Sequence, residues 1–489
     1  MFKKPTKKQF IIRRVLYSSA ATLAVIIIAT FTILFMLGFR FNSDSGSLQQ
    51  GALLQFDSRP TGADVNIDDT YIGSRTATKQ TVVAGTHSVR MTLKGYQDWN
   101  RTLDLKAGTL TWLDYAILVP TNRPVQTVTT YETLVNASIS PDNKWALAQE
   151  KADVAEFHRV DLRSEEVKTE LITIPEQKIT DALTEGVTHS FTIVSWDAAG
   201  RYVLVKHNYK DTYEWIVMDT QDGTRTENIT QVFSVGIKDI KFSGSSGEVF
   251  YVLTDEGTIR KLDLGPDTIS RSFVTHVESF SLFDNKVVSY VGLDAVDATK
   301  RVAGVYREGD QAPHILHTTT TLDSPVKIAT AQYFGDYYFA IGEGSIVTVL
   351  TGDFPSSSSE DAESLKEFVT LDLVGAVSAL SFSPAGDFVL AQSGESFKSY
   401  ELEHKRTDMG VVKAAQGTSA SSLKWLDGAH LWNDDGGMLM MRDFNGNNVF
   451  EIMNVERGFD ASFSQNGRFF YGIGKSDEGF HLQRVKMIL

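Results

Sequence analysis

Residues 380–402 read LSFSPAGDFVLAQSGESFKSYEL. An apolar-aromatic stretch runs into a Ser-Pro-Ala-Gly turn, a second apolar strand follows, a glycine turns the chain again, and a third strand leaves. Seven other segments repeat this grammar: ASISPDNKWAL from 137, VSWDAAGRYVLV from 194, IKFSGSSGEVFYVL from 240, FSLFDNKVVSYV from 280, AQYFGDYYFAIG from 331, LKWLDGAHLWN from 423 and ASFSQNGRFFYGI from 461. The third residues of the eight segments, Ile139, Trp196, Phe242, Leu282, Tyr333, Phe382, Trp425 and Phe463, recur at intervals of 38 to 57 positions. That period suits a repeat of four short strands, about 40 to 50 residues long.

One unit parses strand by strand as IKFS, GEVFYVLT, GTIRKLDL and TISRSFV, with SGSSG, DEG and LGPD as hairpin turns. A lone four-stranded sheet cannot bury both faces, so each repeat needs neighbours, and closing the array into a ring removes its exposed ends. The last unit stops at Leu489 with only three strands, and VQTVTTYETL (125–134) is placed to supply the fourth by pairing the two ends of the ring. The expectation is a β-propeller of about eight blades, or seven if the unit at 280 or 331 is an irregular insertion. The pattern resembles WD-repeat-like and TolB-type propellers in architecture, without the dipeptide signatures of the strict families. A parallel α/β enzyme is excluded because no amphipathic helices alternate with the strands. The Ser- and acid-rich run GDFPSSSSEDAESLKEF (352–368) reads as a solvated loop interrupting the fifth unit.

The chain opens differently. Val15 to Phe39 is 25 residues without a charge, long enough at about 1.5 Å per residue to cross a hydrocarbon core of roughly 30 Å. Six basic residues precede it (Lys3, Lys4, Lys7, Lys8, Arg13, Arg14), which keeps the short N-terminus in the cytoplasm and sends everything after Arg40 outside. The apolar run is longer than a cleaved signal peptide uses, so an uncleaved anchor is expected. Only about fourteen residues face inward, too few to hold a signalling domain.

Of 47 Lys and Arg, seven fall in residues 1–40, which contain no acid; the remaining 40 face 61 Asp and Glu. So acidic a body repels a phosphate backbone, and nucleic acid is excluded as a partner. The chain has no cysteine, hence no disulfide, thiolate nucleophile or Cys-ligated zinc, and its exterior must be held by core burial alone.

Between the anchor and the repeats lies a polar linker (40–51, ending NSDSGSLQQG) and then a stretch of period-two alternation: Val65 and Ile67, then Val89, Met91 and Leu93, then Leu103 and Leu105. The intervening PTG, DDT, AGT and KGY are turn signals, so residues 52–119 read as a small sandwich of short antiparallel strands. SRPTGADVNIDDTYIG, AGTHSV and KGYQDW resemble the PEGA domain, a small β-sandwich of bacterial and archaeal surface proteins; its name motif stands here as Pro60, Thr61, Gly62 and Ala63, with Thr in place of Glu. The resemblance implies a non-enzymatic surface or adhesion module with no catalytic residues to carry over. Asp68 and Asp69 read as turn residues, since no further oxygen ligands are placed near them.

Chemistry-bearing motifs are few. G-x-S-x-G and H-E-x-x-H are absent. GIGKS (472–476) lacks the first glycine of a phosphate loop, position 469 being Phe, and lies on a strand. DFNGNNVFE (443–451) puts Asn448 and Asn454 where a calcium loop needs Gly and Glu, so it reads as an Asn-Gly hairpin turn. His314 and His317 are the only close histidine pair and read as loop surface. Asp197, Asp284, Asp387 and Asp427 each follow an anchor residue in a turn, and acids from separate blades can meet in a propeller channel.

The expectation is therefore an all-β chain: residues 1–14 a cytoplasmic basic segment, 15–39 a transmembrane helix, 40–51 a linker, 52–119 the PEGA-like sandwich, 120–489 the propeller. No catalytic, cofactor-binding or metal-ligating residue is assigned, and no cofactor. The functional expectation is a single-pass cell-membrane protein of bacterial type, non-enzymatic, whose exterior binds a protein or a cell-envelope glycan. The alternative is a surface hydrolase or lyase with carboxylates gathered in the channel.

Overall fold

The computed structural model describes residues 7–36, 38–42, 47–355, 365–414 and 419–489. The chain divides into two compact units, Met1–Asn122 and Arg123–Leu489. In the first, a helix spans Lys7–Met36, and its Ile11–Met36 stretch of 26 residues is apolar and wholly unburied. Three of its hydroxyls bond back along the helix: Ser18 Oγ donates to the Val15 carbonyl at 3.1 Å, Thr22 Oγ1 to that of Ser18 at 2.9 Å and Thr32 Oγ1 to that of Ile28 at 2.8 Å. A bilayer core, which offers no water to such groups, requires this.

Two four-stranded sheets follow. One joins Phe39–Asn42, Ser47–Arg59, Thr78–Val83 and Leu110–Ile117; the other joins Thr70–Arg75, Asp64–Ile67, Gly85–Thr92 and Trp99–Leu105. Between them lie Leu54, Phe56, Val65, Met91, Trp99, Leu103 and Leu113. Trp99–Leu105 alternates buried and exposed along its whole length, as the period of two foretells.

Two details differ from the expectation. Strand pairing begins inside the stretch read as a linker, with Phe39 opposite Gln50 and Asn42 opposite Ser47. The sandwich is also not purely antiparallel: Ser47–Arg59 and Leu110–Ile117 run parallel, Leu53 beside Leu110 and Phe56 beside Leu113.

In the second unit the described residues form eight four-stranded antiparallel sheets in chain order, called blades one to eight below. Blade one covers 136–173, blade two 189–228, blade three 237–269, blade four 277–319, blade five 326–372, blade six 379–411, blade seven 424–454, and blade eight 462–486 together with 126–131. Each of the eight recurrent residues ends the first strand of its blade or stands one position before that end.

Consecutive blades share cores. Leu147 and Phe157 pack on Phe191 and Val205 between blades one and two, Trp215 and Leu204 on Phe250 between two and three, and Tyr251 on Val288 between three and four. Val305 meets Phe339 between four and five, Tyr338 meets Val389 between five and six, and Phe397 meets Leu431 between six and seven. The Gln483 side chain bonds the Asn454 carbonyl between seven and eight, and Tyr471 and Leu482 of blade eight pack on Ala146 and Val160 of blade one. The cycle is closed and the unit is a β-propeller. Its seal is the expected one: Gln126–Tyr131 is the outer strand of blade eight, with Thr129 opposite Leu482.

The run 352–368 is not one loop. Gly352 ends a strand, Leu365 begins the next, and Phe354 is buried against Phe339 and Val287 because its ring serves the core between blades four and five. The remainder, 356–364, lies outside the described residues.

Candidate functional site at one end of blade two

A hairpin decides the chemistry of blade two. Lys210 takes the left-handed conformation that a two-residue turn needs (φ 51°), which sets His207 opposite Glu214 and, on the next strand over, Phe191 opposite His207. Side chains two apart share a face, so His189, Phe191, His207, Tyr209 and Glu214 gather on the side that meets blade one.

The His207 ring is fully buried and lies flat between neighbours, with centroids 4.4 Å from Phe191, 5.0 Å from Tyr209 and 5.1 Å from His189. Its Nδ1 is 2.8 Å from Glu214 Oε1 and its Nε2 is 2.9 Å from His189 Nδ1. The carboxylate only accepts, so Nδ1 of His207 carries the proton, and Nε2 of a neutral His207 accepts from His189 Nδ1–H. Burial pushes the Glu214 carboxyl up; hydrogen bonds from His207, from the Thr180 hydroxyl and N–H, and from Asn228 outweigh it and hold it below its ordinary value. Burial, then the neighbouring His207, push the His189 imidazole below its ordinary value. Thr180 belongs to the segment leading into blade two, which is also tied down by Lys178 on Glu227 (2.5 Å) and Lys210 on Asp181 (2.6 Å).

The opposite side of the same strand end faces blade three. There Thr212, Tyr213, Trp215, Thr230, Ser234 and Asp255 line a cleft of about 280 Å³. The Trp215 indole donates to the Ile237 carbonyl at 2.8 Å, and the Tyr213 hydroxyl to Asp255 Oδ1 at 3.3 Å.

The acids singled out in the sequence lie elsewhere and serve their own turns. Asp197 is fully buried and accepts from the N–H groups of Arg201 (2.7 Å) and Tyr202 (2.8 Å). Asp387 accepts from the Ser383 hydroxyl at 2.6 Å, and burial raises its pKa. Asp427 accepts from the backbone and ring of His430, each at 2.8 Å. Asp284 sits at φ 45°. Among the described residues no hydrogen bond joins any two of these four, and no group of three or more His, Asp or Glu is placed to hold a metal.

GIGKS is strand, within Phe469–Ser476, and 443–451 is the hairpin turn between Met438–Asp443 and Phe450–Asn454. His314 and His317 are a correction: they stand on the strand His314–Thr319, where His317 Nε2 is 2.8 Å from Glu343. The antiparallel partner Arg301–Arg307 draws them out of the loop by backbone pairing.

In the sandwich, Thr76 Oγ1 accepts from the N–H groups of Gly62 and Ala63, both at 3.0 Å, and so fixes the Pro60–Ala63 turn. Asp68 and Asp69 form the expected tight turn, at φ 49° and 61°. Residues 52–121 match the PEGA domain.

No curated protein sequence matches the chain. Among solved structures, the Myceliophteria thermophila Cps50 (Swd1) β-propeller domain aligns at TM-score 0.40 and 10% identity, over 74% of this chain and 99% of that one. An oligogalacturonate lyase in complex with manganese aligns at TM-score 0.40 and 9% identity, over 73% and 98%. The PEGA domain thus accompanies a propeller whose blade two concentrates buried acid-base groups on one side and an open polar-aromatic cleft on the other.

The sequence reading missed both. The legible signal was HNYKDTYE (207–214), a hairpin that sets a histidine against a glutamate across a two-residue turn.

Proposed function

We propose that the chain is a membrane-anchored extracytoplasmic binding or scaffolding protein, non-enzymatic, with the helix as anchor and the PEGA domain and propeller loops as its surface for a cell-surface protein or an envelope glycan. The observation that carries this reading is the unburied apolar stretch Ile11–Met36, which no core of either unit covers, with Lys3, Lys4, Lys7 and Lys8 before it and Arg13 and Arg14 at its start. A rigid ring that offers loops at its ends is a frame suited to recognition. Packing or hydrogen bonding between each blade and the next holds those loops in place.

The test is protease added to intact cells that express the full chain, followed by binding of the purified full chain to isolated envelope. Digestion of the bulk of the chain in intact cells and saturable binding without turnover are expected. A chain cleaved only after lysis would overturn the topology. Depolymerisation of envelope material by the purified chain would overturn the non-enzymatic reading in favour of the hydrolase or lyase.

A further inference from the structure

We propose that one face of the sandwich lies on the lipid bilayer: the outer side of the sheet that contains Ser47–Arg59, carried by Leu53, Val83, Leu110 and Trp112. This deepens the reading above and rests on its membrane anchor.

Backbone bonds fix how near that sheet is to the membrane. The helix ends at Met36, and two residues later the Gly38 carbonyl accepts from the Gly51 N–H at 3.0 Å. The Gly51 carbonyl in turn accepts from the Gly108 N–H at 3.0 Å. No side chain fits between them, since a Cβ on Gly51 would stand 2.5 Å from the Val82 carbonyl oxygen. Two residues reach about 7 Å at most, roughly the depth of a headgroup layer, so Gly51 is held at the membrane boundary.

Gly51 is not at an end of its strand. Ser47–Gln50 run one way and pair with Phe39–Asn42, whereas Ala52–Arg59 run the other way into the sandwich. Neither arm can enter hydrocarbon, which admits no open sheet edge. A strand pinned beside the end of the helix, with both arms kept out of the lipid, runs along the surface and not steeply across it.

One side of this sheet is covered by the second sheet, through Ala52, Leu54, Phe56 and Leu113. The other side carries Leu53 with Leu110 opposite it, Val83 opposite Gly51, and Trp112 opposite Gln55. Val83, Leu110 and Trp112 are 43, 41 and 45% exposed. They gather at the pinned end, Leu110 about 7 Å along the strand from Gly51 and Trp112 about 13 Å. Acids appear on these strands only farther on, at Asp57 and Asp114, while the exposed Lys106 lies in the turn that leads to Leu110.

An apolar face with a tryptophan, beside a helix that has just left the hydrocarbon, matches the boundary between headgroups and acyl chains. The patch is small and does not retain the body by itself. The anchor keeps it within reach of the lipid, and at so high a local concentration a weak contact suffices to orient the sandwich.

The chain has no cysteine, so single cysteines can be placed in the full chain and spin-labelled. Labels at Leu110→Cys and Trp112→Cys are compared, in phosphatidylcholine vesicles, with Thr102→Cys on the outer side of the second sheet and Thr22→Cys in the helix. Collision with oxygen, which concentrates in lipid, is set against collision with nickel-EDDA, which stays in water. Oxygen should dominate at positions 22, 110 and 112, and nickel at 102. Adding Trp112→Asp should raise nickel collision at the Leu110→Cys label severalfold, with the melting transition of the sandwich showing that the fold is kept.

Nickel dominating at 110 and 112 while oxygen dominates at 22 would overturn the docking and leave the anchor standing. Nickel dominating at 22 as well would remove both. Low collision with either probe at 110 and 112 would mean that protein covers the face, a second copy included, and would overturn the lipid contact.

Discussion

At the scale of single residues, the sharpest consequence concerns protons at blade two. The imidazole of His189 is held below its ordinary 6.5, so on acidification the unfolded chain takes up a proton that the folded one resists. Stability therefore falls with pH from about 6.5 downward until the lowered folded value is passed. Glu214 acts in the same direction at more acid pH: its carboxyl is held below the ordinary 4.5, and the stability it contributes is lost as pH falls through that lowered value. The hydrogen-exchange protection factors of residues 176–189, corrected for the slower intrinsic exchange in acid, should decrease below pH 6.5 in the natural chain, and His189→Gln should flatten that limb. Glu214→Ala should cost the blade about 1–3 kcal/mol, because it leaves the buried Nδ1–H of His207 without its acceptor. Residues of this kind are hard to see in sequence. Asp68 and Asp69 were legible because turn chemistry is local, whereas His189 and His207 are 18 positions apart and meet only once their two strands have registered.

Among elements, the strand Gln126–Tyr131 is the one whose loss the ring cannot absorb. Tyr131 is almost wholly buried among Tyr471, Leu482 and Ala146. Tyr131→Ala should lower the stability of the ring by about 3–5 kcal/mol through the cavity left behind. Because the sandwich is a separate unit, calorimetry should show one transition moved down and the other unmoved. Strand order, repeat period and this closure were all readable from the sequence, since they follow from alternation and turn residues that each blade restates. What it hid was non-local: the parallel pairing of Leu53 with Leu110, and the burial of Phe354, whose flanking serines and acids concealed a core ring. Composition reports the average of a segment, and one aromatic residue can decide its ends.

For the whole molecule, the anchor reading predicts that deletion of residues 1–36 moves the protein from the carbonate-resistant membrane fraction to the soluble one. The melting transition of the ring should stay where it was. Retention of the shortened chain on membranes would point to a second attachment through the exterior. The pairing of Thr129 with Leu482 carries a consequence for biogenesis. The first strand of the propeller to be synthesised has to wait until Gly479–Lys486 arrives some 350 positions later, and contacts so distant form slowly. A message cut short before codon 479 would deliver seven finished blades and an open clasp. Quality control would then meet a frayed edge at both ends of an otherwise well-made product.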